Sequence, residues 1–286
     1  MEKFPFPIGI SEFTTQPWTF EQDVERYAEA GIAMIEVCEE KLDDRRYPEQ
    51  MAMVKSHGLA VCAVQPLVRT FGYSQIKPEP KELSARVSRL RTSIERLSPF
   101  ARGCPFIVNT GAPEKENVHA MIDTTIRELR SLAGFAADHG VKLALEPLNA
   151  SSMNTESSIW TINQALKIID AVNRDNVGLC LDLWNSWQDA DVESEIRRAA
   201  GRIFALQVSD WRTPRSGGDR LVPGDGVIPI GKLLRAVQDT RYTGACTVEI
   251  FSNDVTDSLY KTDLYSVILQ SKRGLADAWS HTDIKL

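Results

Sequence analysis

Four polar side chains stand where a purely structural sequence would place apolar ones. Glu146 lies in the run VKLALEPL (141–148), Asp182 in VGLCLDLW (177–184), Gln207 in IFALQVSD (203–210) and Glu249 in ACTVEIFS (245–252). Each follows an apolar stretch, where a lone carboxylate is costly to bury. Three carboxylates converging on one place repel one another unless a cation sits among them. Oxygen-rich donors suit one divalent ion, Mn²⁺ or Mg²⁺ first, with Co²⁺ or Zn²⁺ also admissible. The competing reading is that each acid pairs with a nearby Arg or Lys, or caps a helix.

Such convergence needs elements that bring the four runs together. Short apolar runs alternate with segments of helical periodicity from end to end, the pattern of βα units and a parallel sheet. The first four runs are residues 7–13, 33–39, 60–67 and 106–111, and they end in Glu12, Glu39, Gln65 and Asn109. The segment TFEQDVERYAEAG opens on a Thr cap and closes on Gly31, and Gly58, Gly103, Gly140 and Gly244 likewise precede a predicted strand. The spacing predicts an α/β fold, a single (β/α)8 barrel occupying 1–286 as one domain. In such barrels the site lies at the carboxyl ends of the strands, where these polar residues fall. An open doubly wound sheet is the rival, but no G-x-G-x-x-G follows the first run.

Composition narrows the function classes. With 286 residues, 43% of them hydrophobic, the chain can bury a large core. A net charge of −6 gives no basic footprint, so no nucleic-acid partner is expected. No run approaches the roughly 20 apolar residues of a membrane helix, and MEKFPFPIG lacks the pattern of a secretory leader. The expectation is a cytoplasmic protein with no membrane partner. Five cysteines, an odd number without Cys-x-x-Cys, read as buried thiols rather than disulfides or a zinc cluster.

Longer motifs surround the four side chains. They are Glu146-Pro147-Leu148-Asn149, Asp182-Leu183-Trp184-Asn185, Gln207-Val208-Ser209-Asp210, the loop Arg220-Leu221-Val222-Pro223-Gly224-Asp225-Gly226, and Glu249. In this order and context they resemble the xylose-isomerase-like superfamily of sugar isomerases and epimerases, which includes hydroxypyruvate isomerase, inosose dehydratase and 3-dehydroshikimate dehydratase. The resemblance implies that Glu146, Asp182, Gln207 and Glu249 hold the metal. It makes Glu146 and Glu249 the acid/base pair and sets Arg220 against a substrate oxygen. Asp210, closing its motif, falls among the substrate contacts.

Two positions depart from the family pattern. Gln207 stands where many members carry His, and its neutral oxygen favours Mg²⁺ or Mn²⁺. Asn185 replaces a His that approaches the substrate; it can hydrogen-bond but cannot titrate near neutrality. Endonuclease IV shares the fold but needs several histidine ligands. The four histidines here, His57, His119, His139 and His281, do not fall at strand ends.

The chemistry implied is proton transfer next to a carbonyl through an enediolate, on a sugar or sugar-like hydroxy-carbonyl compound. Returning the proton to the neighbouring carbon is isomerisation; returning it to the opposite face of the same carbon is epimerisation. Loss of a β-hydroxyl would make the protein a dehydratase, the alternative reading, and a barrel that binds without turnover is a third. Trp184 and Trp211 could stack on a sugar face. Arg212, like Arg69, could clamp an acidic substrate. The loop 212–223 is expected to order over the ligand. A homo-oligomer is common for such barrels, though no sequence feature selects an interface.

Overall fold

The computed structural model describes residues 3–113, 117–214, 219–253 and 255–281. Eight strands run parallel: β1 (Ile8–Ser11), β2 (Met34–Cys38), β3 (Ala60–Gln65), β4 (Pro105–Val108), β5 (Lys142–Leu145), β6 (Val177–Asp182), β7 (Ile203–Val208) and β10 (Cys246–Val248). They close into a barrel in the order β1-β10-β7-β6-β5-β4-β3-β2, as the alternating pattern predicts. Between β7 and β10, β8 (Asp210–Trp211) and β9 (Arg220–Leu221) form an antiparallel pair at the mouth. The loop 212–223, expected to order over substrate, joins the two strands of this pair and includes β9, and its residues 215–218 lie outside the described residues.

Successive strand residues face opposite sides, so each strand serves two cores. Ile35, Val37, Val64, Phe106, Val108, Leu143, Leu145, Leu179, Leu181 and Leu206 face out into the main core shared with the helices. Ala63, Ile107, Ala144, Cys180 and Ala205 form a small inner cluster. Two residues further along each strand, the inward side becomes polar.

The helices follow from their caps and apolar stripes. Thr19 makes a capping box with Gln22 at the start of α1 (Phe20–Glu29), and Thr161 does so with Gln164 before α5 (Ile162–Val172). Gly31 and Gly140 take the left-handed conformation (φ 63° and 69°) that turns a helix back towards the next strand. His57, His139 and His281 end α2 (Tyr47–Ser56), α4 (Val118–Asp138) and α9 (Leu264–Ser280). The Nδ1 of each faces the carbonyl four residues back, at 2.9, 2.9 and 2.7 Å.

The observed strands stop short of the predicted runs. The last is Cys246–Val248 rather than 245–252. There the Thr14 hydroxyl donates to the Val248 carbonyl (3.0 Å) and accepts from the Ile250 N–H (3.0 Å), replacing a neighbouring strand. At the base of the barrel, Phe4 and Phe6 meet Trp279 near the end of α9, with ring centroids 6.2 and 6.4 Å away. No helix among the described residues is long and apolar enough to cross a membrane.

Candidate active site

Each strand, or the residue just after it, contributes one buried side chain to the top inner layer: Ser11, Glu36, Gln65, Asn109, Glu146, Asp182, Gln207 and Glu249. The layer therefore holds four carboxyls, three amides and one hydroxyl. For the first two strands the sequence pattern pointed instead to Glu12 and Glu39. Glu12 falls one residue on, and its Oε2 accepts the Cys38 N–H at 2.7 Å. Glu39 faces helix α3 (Leu83–Leu97), where it takes Ser93 and Arg96 as partners. Glu36, in the middle of its apolar run, is the carboxyl that turns inward.

Glu146, Asp182 and Glu249 bring oxygens within 4.8 Å of one another. Their other contacts hold them firmly. Asn109 Nδ2 donates to Glu146 Oε2 (3.0 Å), and Asn185 Nδ2 donates to Glu146 Oε1 (2.9 Å) and Asp182 Oδ2 (2.8 Å). The remaining Asp182 oxygen accepts the Trp184 N–H (2.8 Å) and starts the short helix α6 (Leu183–Ser186). Arg220 Nη1 lies 3.0 Å from Asp182 Oδ2 and 2.9 Å from Glu249 Oε2. Its guanidinium is stacked between Trp184 and Phe251, 4.6 and 4.8 Å from their centroids.

The amide of Gln207 is turned so that its nitrogen faces acids. Nε2 donates to both Glu36 oxygens (2.9 and 3.0 Å) and to Glu249 Oε1 (3.0 Å), while Oε1 accepts the Cys180 thiol at 3.1 Å. Gln65 Nε2 bridges the same two carboxyls at 3.2 Å. For Gln207 Oε1 to face a cation beside Glu249, the amide must turn over.

Burial dominates the electrostatics. It pushes the Glu146 carboxyl up to about 7, helped by the Asp182 charge; Asn109, Arg69 and Arg220 oppose the shift. Burial also lifts Glu249 well above the usual carboxylate range, against the pull of Arg220, and raises Glu36. Four buried carboxyls thus face one buried guanidinium. Hard oxygen donors at this spacing, short of positive charge, fit a divalent cation.

Above the layer opens a cavity of about 660 Å³, lined in part by Phe13, Arg69, Trp184, Asn185, Arg220 and Phe251. A sequence model described as the xylose isomerase-like TIM barrel matches residues 24–268. The chain belongs to that family. Inosose isomerase of Halalkalibacterium halodurans is 28% identical over 63% of this chain and 61% of its own length. D-psicose 3-epimerase of Enterocloster bolteae is 29% identical over 44% of this chain and 39% of its own. Both matches therefore span less than two thirds of the relative. The crystal structure of IOLI protein with a binding zinc atom superposes with a TM-score of 0.79 at 20% identity, covering 98% of this chain and 100% of that one.

In this xylose isomerase-like barrel, the structure brings together Glu146, Asp182, Asn185, Gln207, Arg220, Glu249 and Trp184. It places the other three expected contacts behind them. Asp210 accepts four backbone N–H groups, from Trp211, Gly224, Gly226 and Ile228, at 2.8–3.0 Å, and so shapes the loop that carries Arg220. Gly226 is needed there, since a Cβ would lie 2.5 Å from Asp210 Oδ1. Trp211 backs Trp184, with centroids 4.7 Å apart. Arg212 is paired with Asp219 and Asp257. Asn109 and Gln65 were legible as polar strand endings; Glu36 had no such signal.

Proposed function

We propose that this protein is a divalent-metal-dependent isomerase or epimerase of a sugar or sugar-like hydroxy-carbonyl compound, with Glu146 and Glu249 as the acid/base pair. The observation that carries this reading is the buried, converging Glu146–Asp182–Glu249 group at the floor of a cavity. Relatives named inosose isomerase and D-psicose 3-epimerase support the reaction class, and the zinc atom in the IOLI protein supports the metal. The three carboxylates would hold the ion, with Gln207 as a fourth donor once its amide turns.

A bound cation would polarise the substrate carbonyl and acidify the neighbouring C–H. Glu146, near neutrality in its proton affinity, would take that proton. Asn109 and Asn185 fix both of its oxygens and hence the direction of attack. Glu249, which holds its proton more firmly than an ordinary carboxyl, would return one from its own position. Arg220 Nη1 would offer a donor to a developing oxyanion. Trp184 and Phe251 would shield the reacting face from water.

Metal content and Mn²⁺-dependent thermal stabilisation should be measured beside a Glu146→Gln/Glu249→Gln double variant. Stoichiometric metal that the variant loses supports the site. Screening ketoses, inososes and hydroxypyruvate-like acids in D₂O then reads carbon-bound deuterium for isomerase or epimerase chemistry, and loss of water for the dehydratase alternative. A parent protein that neither carries metal nor is stabilised by it would leave the acids as an ion-pair network around Arg220, and the reading falls.

A further inference from the structure

Three cationic side chains line the cavity: Arg69, Lys77 and Arg220. Two have carboxylate partners in the chain, since Arg220 meets Asp182 and Glu249 and Lys77 lies 2.9 Å from Glu40. Arg69 has none among the described residues. Its guanidinium carbon instead lies over the Phe13 ring, 5.3 Å from the centroid. That contact engages the face of the ring by cation–π attraction and uses none of the guanidinium's N–H donors on a carboxylate.

The backbone beneath it is also fixed. The Arg69 carbonyl accepts the Asn109 N–H at 2.8 Å, which ties it to the strand ending that supports Glu146. The next residue, Thr70, is held by the buried Arg86, whose Nε donates to the Thr70 carbonyl at 2.9 Å. Arg69 is felt by Glu146 through space, but among the described residues no carboxylate lies within ion-pair distance of its half-buried guanidinium, so its donors are open to an anionic group on the ligand. A single guanidinium fork matches the two oxygens and one charge of a carboxylate; the further charge of a phosphate would call on Lys77 or Arg220, which already have carboxylate partners.

We infer that Arg69 is a carboxylate-binding subsite, and that the substrate is a keto-polyol acid whose carboxylate lies away from the reacting carbonyl. This rests on the isomerase or epimerase reading for the word substrate, but the subsite itself is a binding property.

The probes are D-fructose and D-fructuronate, which share a ketose skeleton and differ by a carboxylate at the far end. Their binding to the purified protein should be titrated by calorimetry, in the parent, in Arg69→Met and in Arg69→Lys, with thermal melting to confirm folding. The parent is expected to bind the acid at least roughly tenfold more tightly; Arg69→Met should abolish that preference and Arg69→Lys keep part of it. No preference in the parent, or one that survives Arg69→Met, overturns the inference. An equal loss for both compounds also overturns it, since Arg69 would then act only through Glu146. Deuterium exchange on the same two compounds separates the claims. Arg69-dependent binding without exchange of either compound leaves the subsite standing and counts against the isomerase reading. Exchange of fructose with no advantage for the acid does the reverse.

Discussion

Amides decide how the buried carboxyls face one another. Asn185 Oδ1 accepts the Asn149 N–H at 2.9 Å, so its Nδ2 must point at Glu146 and Asp182. Asn185→Asp would set a carboxylate against two others. It should destabilise the metal-free protein by about 2–4 kcal/mol at neutral pH, with much of the loss recovered on adding Mn²⁺, as read by thermal melting. Glu146 gives a pH signature. Its folded-state value of about 7 lies above the ordinary 4.5. The stability it contributes is therefore fully present below pH 4.5 and lost as pH rises through 7, on the order of 3 kcal/mol. A cation competes with that proton, so stabilisation by Mn²⁺ should grow between pH 5.5 and 8, with a much flatter profile in Glu146→Gln. A flat profile in the parent would remove Glu146 from the ligands. The acids at 146, 182 and 249 were legible because each interrupts an apolar run. The turn of each amide was not, because its partners arrive from other strands.

At the scale of elements, the last barrel strand ends early because Thr14 takes over its hydrogen bonding, and Glu249 sits between the two groups Thr14 engages. Thr14→Val leaves a buried carbonyl and N–H unpaired. It should cost about 1–3 kcal/mol and lower turnover by displacing Glu249, which urea unfolding and a rate assay would report together. Sequence reading located every barrel strand, since strand and helix periods differ. It could not see where pairing stops, because a hydroxyl 234 positions away makes the cut. The sequence points to the loop 212–223 as a cover for substrate. Among its described residues, Arg212 pairs with Asp219 and Asp257, and Arg220 with Asp182 and Glu249, while Asp210 just before it accepts from the backbone of 224–228.

Within the barrel, five strands give an apolar inner cluster, and the next layer is entirely polar, eight side chains from eight strands. The barrel gives up packing at its top to hold charge, and the outer core carries the stability. The sequence reported this split through alternation, with Glu36 as the residue it hid. Inside an apolar run one carboxyl reads as either face, and only the register of β2 against β1, Ser11 opposite Glu36, settles the direction.

The contact between Phe4 and Trp279 has a topological consequence. The segment leading into the first strand and the last helix meet at the floor of the barrel, on the side opposite the acids, so the order in which the chain is threaded is separable from the shape it takes. A circular permutant that joins residue 281 to residue 3 through a short flexible linker and opens at Gly58, in a basal turn, should fold and keep its Mn²⁺-dependent stabilisation. Its melting curve beside the parent's would test this. A partner protein or solid support attached beside Phe4 or His281 would likewise leave the mouth facing solvent.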